Sequence, residues 1–136
     1  MKVQLDDGAY MPIKAHEADA GYDLMSPVDT YIYPDCDCII NTGVHFQIPE
    51  GYVGFIKSRS SMNVKHGIIC EGVIDSGYTG SVVVKLHSLG SEGHRIDKGD
   101  KIAQIVFLPV FMPVLHQVDS LDESERGSNG FGSTGR

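Results

Sequence analysis

The carboxylate of Asp75 follows two β-branched residues in Gly72-Val73-Ile74-Asp75-Ser76-Gly77-Tyr78-Thr79-Gly80, at the end of a strand entering a Gly-containing turn. Two readings stand side by side. Asp75 is a turn former that satisfies its own loop, or a carboxylate, ionised above a pKa of about 3.9, that accepts a proton from water. In Lys57-Ser58-Arg59-Ser60-Ser61-Met62 one guanidinium stands beside three hydroxyls at a strand-to-turn junction. Such a junction suits an anion, because Arg offers a planar fork of donors and the turn offers backbone N–H groups. It suits equally a solvated strand end with an N-cap Ser. The stretch 126–136 sets Gly127, Gly130, Gly132 and Gly135 among hydroxyl and amide residues, a composition able to wrap N–H groups round phosphate oxygens. It is not a Walker A loop, which needs Lys-Ser/Thr after its last Gly and then a helix. A solubilising terminus has the same composition, yet it needs neither Arg126, a charged fork for phosphate, nor Phe131, a face on which a base can stack. Asp23 and Gln104 each interrupt an apolar run. Buried there, they require partners, either backbone across the strands or a ligand at a site wall.

These residues need a scaffold, and the chain of 136 residues supplies one domain's worth. Gly and Pro punctuate it about every ten residues, with Val, Ile, Tyr and Phe between. The expected fold is all-β, a jelly-roll-like barrel or sandwich, with strands over 31–33, 38–48, 52–57, 67–74, 81–87 and 101–111. One short helical turn fits 60–65, and 49–51, 76–77 and 98–100 read as turns. From Asp119 the composition turns polar and Gly-rich, so a body over 1–118 and a flexible arm over 119–136 are expected.

The charge balance excludes some partners. With 11 basic and 18 acidic residues, a net −7, no basic stripe drives polynucleotide binding, and an anionic ligand must be met by a few placed cations. No apolar run is long enough to cross a membrane, and the start lacks a secretory pattern, so a cytoplasmic protein is expected. Cys36, Cys38 and Cys70 read as reduced thiols rather than a disulfide or metal set. The six His show no ligand spacing, and none is singled out.

Five segments in order, AGYDL at 20–24, SRSSM at 58–62, GVIDSGYTG at 72–80, GDKIAQIVF at 99–107 and RGSNGFGSTG at 126–135, resemble the motifs of the trimeric dUTPase family. The resemblance implies a jelly roll assembled as a homotrimer, each arm closing over a neighbour's site, and hydrolysis of dUTP to dUMP and pyrophosphate. It implies Asp75 as the base that activates water and Tyr78 beneath deoxyribose. It implies a hairpin around 69–74 that reads uracil through its backbone, with Ile69, Val73, Ile74 and Val83 about the base. Arg59, Ser60, Ser61 and Gln104 would hold the α- and β-phosphates. Arg126, Gly132, Ser133 and Thr134 would close on the γ-phosphate, and Phe131 would stack on uracil. Asp23 would support the site from behind, and Mg²⁺ would be gripped by phosphates and water without a direct protein ligand. Ser61 stands where the family usually has Gly. Two alternatives accompany this reading: a dCTP deaminase on the same fold, and an added regulatory role through a protein partner.

Overall fold

The computed structural model describes residues 1–128; Phe131, Gly132, Ser133 and Thr134 lie outside the described residues. Ten strands and one helix follow in order: β1 (Lys2–Leu5), β2 (Gly21–Met25), β3 (Thr30–Ile32), β4 (Asp37–Gln47), β5 (Tyr52–Lys57), α1 (Ser60–His66), β6 (Ile68–Ile69), β7 (Glu71–Ile74), β8 (Ser81–Ser88), β9 (His94–Ile96) and β10 (Lys101–Pro109). They form two open four-stranded sheets, β1-β4-β8-β6 and β2-β10-β5-β7, and a small pair, β3-β9. The all-β expectation holds. The chain passes repeatedly from one large sheet to the other, so each connection closes the sandwich over a shared core.

That core follows from alternation. In β8 every second residue, Val82, Val84, Leu86 and Ser88, is buried, while Val83 and Lys85 face out. Leu24, Ile40, Val44, Ile56, Ile102 and Ile105 meet them from β2, β4, β5 and β10. β10 is central in its sheet, which explains its nearly unbroken apolar run.

Several elements differ from expectation. The strand expected over 67–74 is two strands in different sheets: β6 pairs with β8, and β7 pairs with β5. Gly67 is no strand residue; it ends α1 in the left-handed region at φ 63°, which glycine adopts without a Cβ penalty. The sheet switch falls at Cys70, whose backbone N–H donates to Ser58 Oγ at 2.7 Å while that hydroxyl donates back to the Cys70 carbonyl at 3.1 Å. Ser58 therefore fastens the crossing and caps no helix; the cap position belongs to Arg59, which makes no side-chain cap bond. Strands β1, β2 and β9 were not among those expected, since each is short and carries polar residues that blunt its pattern.

Candidate active site

Two strands of one sheet bring the first group of residues together. Asp23 of β2 and Gln104 of β10 are direct cross-strand partners, and Gln104 pairs on its other side with Lys57 at the end of β5. Arg59 follows two residues later, at the head of α1. Its Nε donates to Asp23 Oδ1 at 2.8 Å, and Lys101 Nζ reaches Asp23 Oδ2, also at 2.8 Å. Arg59 Nη1 also reaches Ser61 Oγ and the Lys101 carbonyl, each at 3.4 Å. Gln104 Nε2 donates to the Ser58 carbonyl at 3.1 Å. The Asp23 side chain is only 14% exposed, so this ion cluster lies where water screens it weakly.

A bulge makes the arrangement reachable. Lys101 and Gln104 are three residues apart, which in a regular strand puts them on opposite faces. The register between β10 and β2 shifts between Lys101 and Ala103, an extra residue that brings both side chains to the Asp23 side. Beside the cluster a cavity of about 250 Å³ is lined by Asp19, Gly21, Asp23, Arg59, Ser60 and Gln104. The Asp19 carboxyl lies below the usual range, chiefly through the backbone N–H of His16, which donates to it at 2.9 Å. Gly21 leaves room for the Gln104 side-chain amide, which a Cβ there would push aside. On this wall Arg59, the Ser60 hydroxyl and the Gln104 amide offer donors to an anionic oxygen, both oxygens of Asp23 being engaged by Arg59 and Lys101, while Asp19 adds a second carboxylate at the rim.

The second group lies elsewhere. In β7, Ile74 is opposite Gly54 and Glu71 is opposite Lys57, so Asp75 emerges at the Gly54 end of β5 while Arg59 leaves the Lys57 end. Three steps of strand at about 3.3 Å each separate Gly54 from Lys57 by roughly 10 Å. The 75–80 turn is tied by Tyr78 N–H donating to the Asp75 carbonyl at 3.0 Å and by Tyr78 Oη donating to the Ser81 carbonyl at 3.0 Å. It connects two sheets and is not a paired hairpin. Val73, Tyr78 and Val83 are 58%, 46% and 48% exposed around it. Ile69 is apart from them, on β6 opposite His87, and lines a cavity of about 610 Å³ with Ser58, Cys70, Asp37 and Lys85. Burial pushes the Cys70 thiol up. Beyond β10, Phe111, Leu115 and Leu121 are 90%, 88% and 87% exposed, and Arg126 lies on the same exposed segment.

Sequence reading brought Asp23, Arg59, Ser60, Ser61 and Gln104 to one place. It missed Lys101, read only as the first residue of a strand; the available signal was a cation three residues ahead of Gln104, which only a bulge makes relevant.

Fold and pocket together define a β-sandwich protein with a polar cavity beside an Arg-Asp-Lys cluster at one sheet end. A model of the dUTPase family matches residues 7–135, and the chain belongs to that family. It is 42% identical over 135 residues to the mouse deoxyuridine 5'-triphosphate nucleotidohydrolase, covering 98% of this chain and 83% of the mouse protein. Among solved structures, the Staphylococcus bacteriophage 80alpha dUTPase with dUpNHpp aligns with a TM-score of 0.92 at 33% identity, covering 99% of this chain and 98% of that one. The phage phi11 dUTPase of S. aureus, solved as a variant showing coordination of a structural Mg(II) ion, aligns with a TM-score of 0.81 at 31% identity over 88% of this chain and 96% of that one. The jelly roll expected from the sequence is the fold these proteins share.

Proposed function

We propose that this protein hydrolyses dUTP to dUMP and pyrophosphate in the cytoplasm, limiting uracil in DNA and supplying dUMP. The observation that carries the reading is the cavity wall of Arg59, Ser60 and Gln104, with Asp23 holding Arg59 and Lys101 at 2.8 Å. A wall so arranged needs no reorganisation when a phosphate chain arrives. Arg59, Ser60, Ser61 and Gln104 hold the α- and β-phosphates; Val73, Ile74 and Val83, with Ile69 behind, face uracil; Tyr78 lies beneath deoxyribose.

Asp75 takes a proton from water as the water oxygen bonds to the α-phosphorus. The bond from that phosphorus to the bridging oxygen breaks, and pyrophosphate leaves with the electron pair. The donor chemistry fits a cation carried by the substrate: both Asp23 oxygens are already engaged by Arg59 and Lys101, so that carboxylate supports the site from behind and ligates no metal directly. When bound, Mg²⁺ supplies neutralisation of the triphosphate charge.

The placement of Asp75 and Arg59 at opposite ends of the β5–β7 pairing supports a homotrimer, in which Asp75 of one subunit serves the Arg59 wall of another. Exposed Phe111, Leu115 and Leu121 support an arm that crosses to a neighbour, where 119–136 closes with Arg126, Phe131, Gly132, Ser133 and Thr134. Purified protein with Mg²⁺ and each of dUTP, dCTP, dTTP and UTP tests the reading. Pyrophosphate from dUTP alone is expected; ammonia from dCTP or equal rates on UTP would overturn it. Light scattering should give three times 14.8 kDa.

A further inference from the structure

His45 stands where the β4–β8 ladder breaks. Asn41 is opposite Val83 and His45 is opposite Ser81, so a four-residue step of β4 spans a two-residue step of β8. Gly43 absorbs the surplus in the left-handed region at φ 67°, with a Cβ position only 2.8 Å from the Ala9 Cβ. Side chains take the backbone groups so freed. Thr42 Oγ1 donates to the Val82 carbonyl at 2.7 Å, and Asn41 Oδ1 accepts from the Gly43 N–H at 3.0 Å and from the Ser81 hydroxyl. A bulge bends its strand and re-aims a side chain, and here the side chain is the His45 imidazole.

The ring spans two loops. Its Nδ1 lies 2.9 Å from the Thr79 carbonyl oxygen and its Nε2 lies 3.1 Å from Asp6 Oδ1. Both partners are acceptors, and a neutral imidazole has one N–H to give; only the imidazolium donates to both. Thr79 is the residue after Tyr78, in the turn that begins at Asp75.

We propose that His45 is a positioning residue: as an imidazolium it ties the 75–80 turn to the Asp6 loop and so holds Asp75 and Tyr78 in working position. The inference rests on the dUTP hydrolysis reading above. The Thr79 carbonyl first, and then Asp6, hold the His45 pKa above its ordinary 6.5. Burial alone opposes that shift; Lys2 lines the same cavity of about 310 Å³ as His45 and Thr79, and Ser81 across the ladder brings no charge. Both ties are therefore present below the ordinary His range and one is lost as pH rises through the raised value. Deprotonation leaves a lone pair facing either the Thr79 carbonyl or the Asp6 carboxylate, replacing attraction with repulsion.

The test follows the ring by NMR titration and turnover by pH–rate profile in the full chain with Mg²⁺ and dUTP. His45 should titrate above 6.5, and kcat should decline through the same value. Asp6→Asn should move both to lower pH, a shift that mere structural support would not produce. His45→Gln, with a single amide nitrogen to donate, should lower kcat roughly three- to tenfold below that value and abolish the decline. Wild-type kcat with an unchanged profile in His45→Gln, or a ring titrating at or below 6.5 with Asp6→Asn without effect, would overturn it. Should His45→Gln not fold, Asp6→Asn decides alone. Two controls separate the ideas: if the wild-type protein releases no pyrophosphate from dUTP, the hydrolysis reading has failed; if it does, and Asp75→Asn is inactive while both other variants match wild type, only the positioning of the turn has failed.

Discussion

The two ends of β5 are built on different principles. Beyond Lys57, Arg59, Asp23 and Lys101 hold one another at 2.8 to 3.4 Å and Gln104 is fixed to the Ser58 carbonyl at 3.1 Å, with Asp23 almost enclosed. Around the Gly54 end, Val73, Tyr78 and Val83 face solvent beside Asp75, and the turn is held by its own backbone and by His45 from outside. One end is a finished wall, preorganised for charge; the other is a face whose apolar side chains are complete only when covered. The lesson is that this sheet spends its ion pairs and hydrogen bonds on fixing one end, while the other keeps an exposed apolar surface.

The largest expected effect breaks the comparison at the open end. Asp75→Asn should reduce turnover at least about 10²-fold, because an amide matches the carboxylate's shape but takes no proton. Binding of a non-hydrolysable dUTP analogue by calorimetry and the melting temperature should both stay near wild type, as an exposed residue outside the core would dictate. At the finished end, Arg59→Gln should lower kcat/KM by roughly tenfold or more, since the amide offers no charged fork. Unlike Asp75→Asn, it should also lower the melting temperature, because Asp23 is left with Lys101 alone. A stable Arg59→Gln protein would show that the wall is not held together by these ion pairs. Gly21→Ala is subtler. The new methyl group displaces the Gln104 amide, so KM for dUTP should rise several-fold with kcat at saturation largely kept.

The smallest effect concerns acid. His94 lines a cavity with Arg59, Asp100 and Lys101, its ring 4.2 Å from that of His66 at the far end of α1. Burial first, then His66, lowers its pKa below 6.5, while Asp100 opposes the shift. A depressed value means its contribution to stability is present above 6.5 and is lost as pH falls through the lowered value. Melting temperature should therefore drop modestly on acidification, and His94→Asn should flatten that slope; an equal slope in the variant would locate the acid sensitivity elsewhere.

Much of this was legible before folding was considered. Alternation and Gly–Pro spacing placed β4, β5, β8 and β10 to within a residue or two, because a half-buried strand must alternate and a turn must use residues tolerant of its angles. The 67–74 segment was misread as one strand because its apolar run is continuous; the switch between sheets at Cys70 depends on Ser58, twelve residues away, whose hydroxyl serves both Cys70 backbone groups. The His45 ring looked ordinary for the same reason: its partners, Asp6 and Thr79, are distant in sequence on both sides.

Residue type alone determined which groups could meet an anion, take a proton or stack on a base, since that chemistry is carried by Arg59, Asp75 and Phe131 wherever they fall. Pairing decided who stands beside whom. The bulge before Ala103 turns Lys101 toward Asp23, the bulge at Gly43 turns His45 toward Thr79, and the register of β5 with β7 sends Asp75 to the end away from Arg59. A strand's faces and ends are defined only against its neighbours, so no local pattern contains that information.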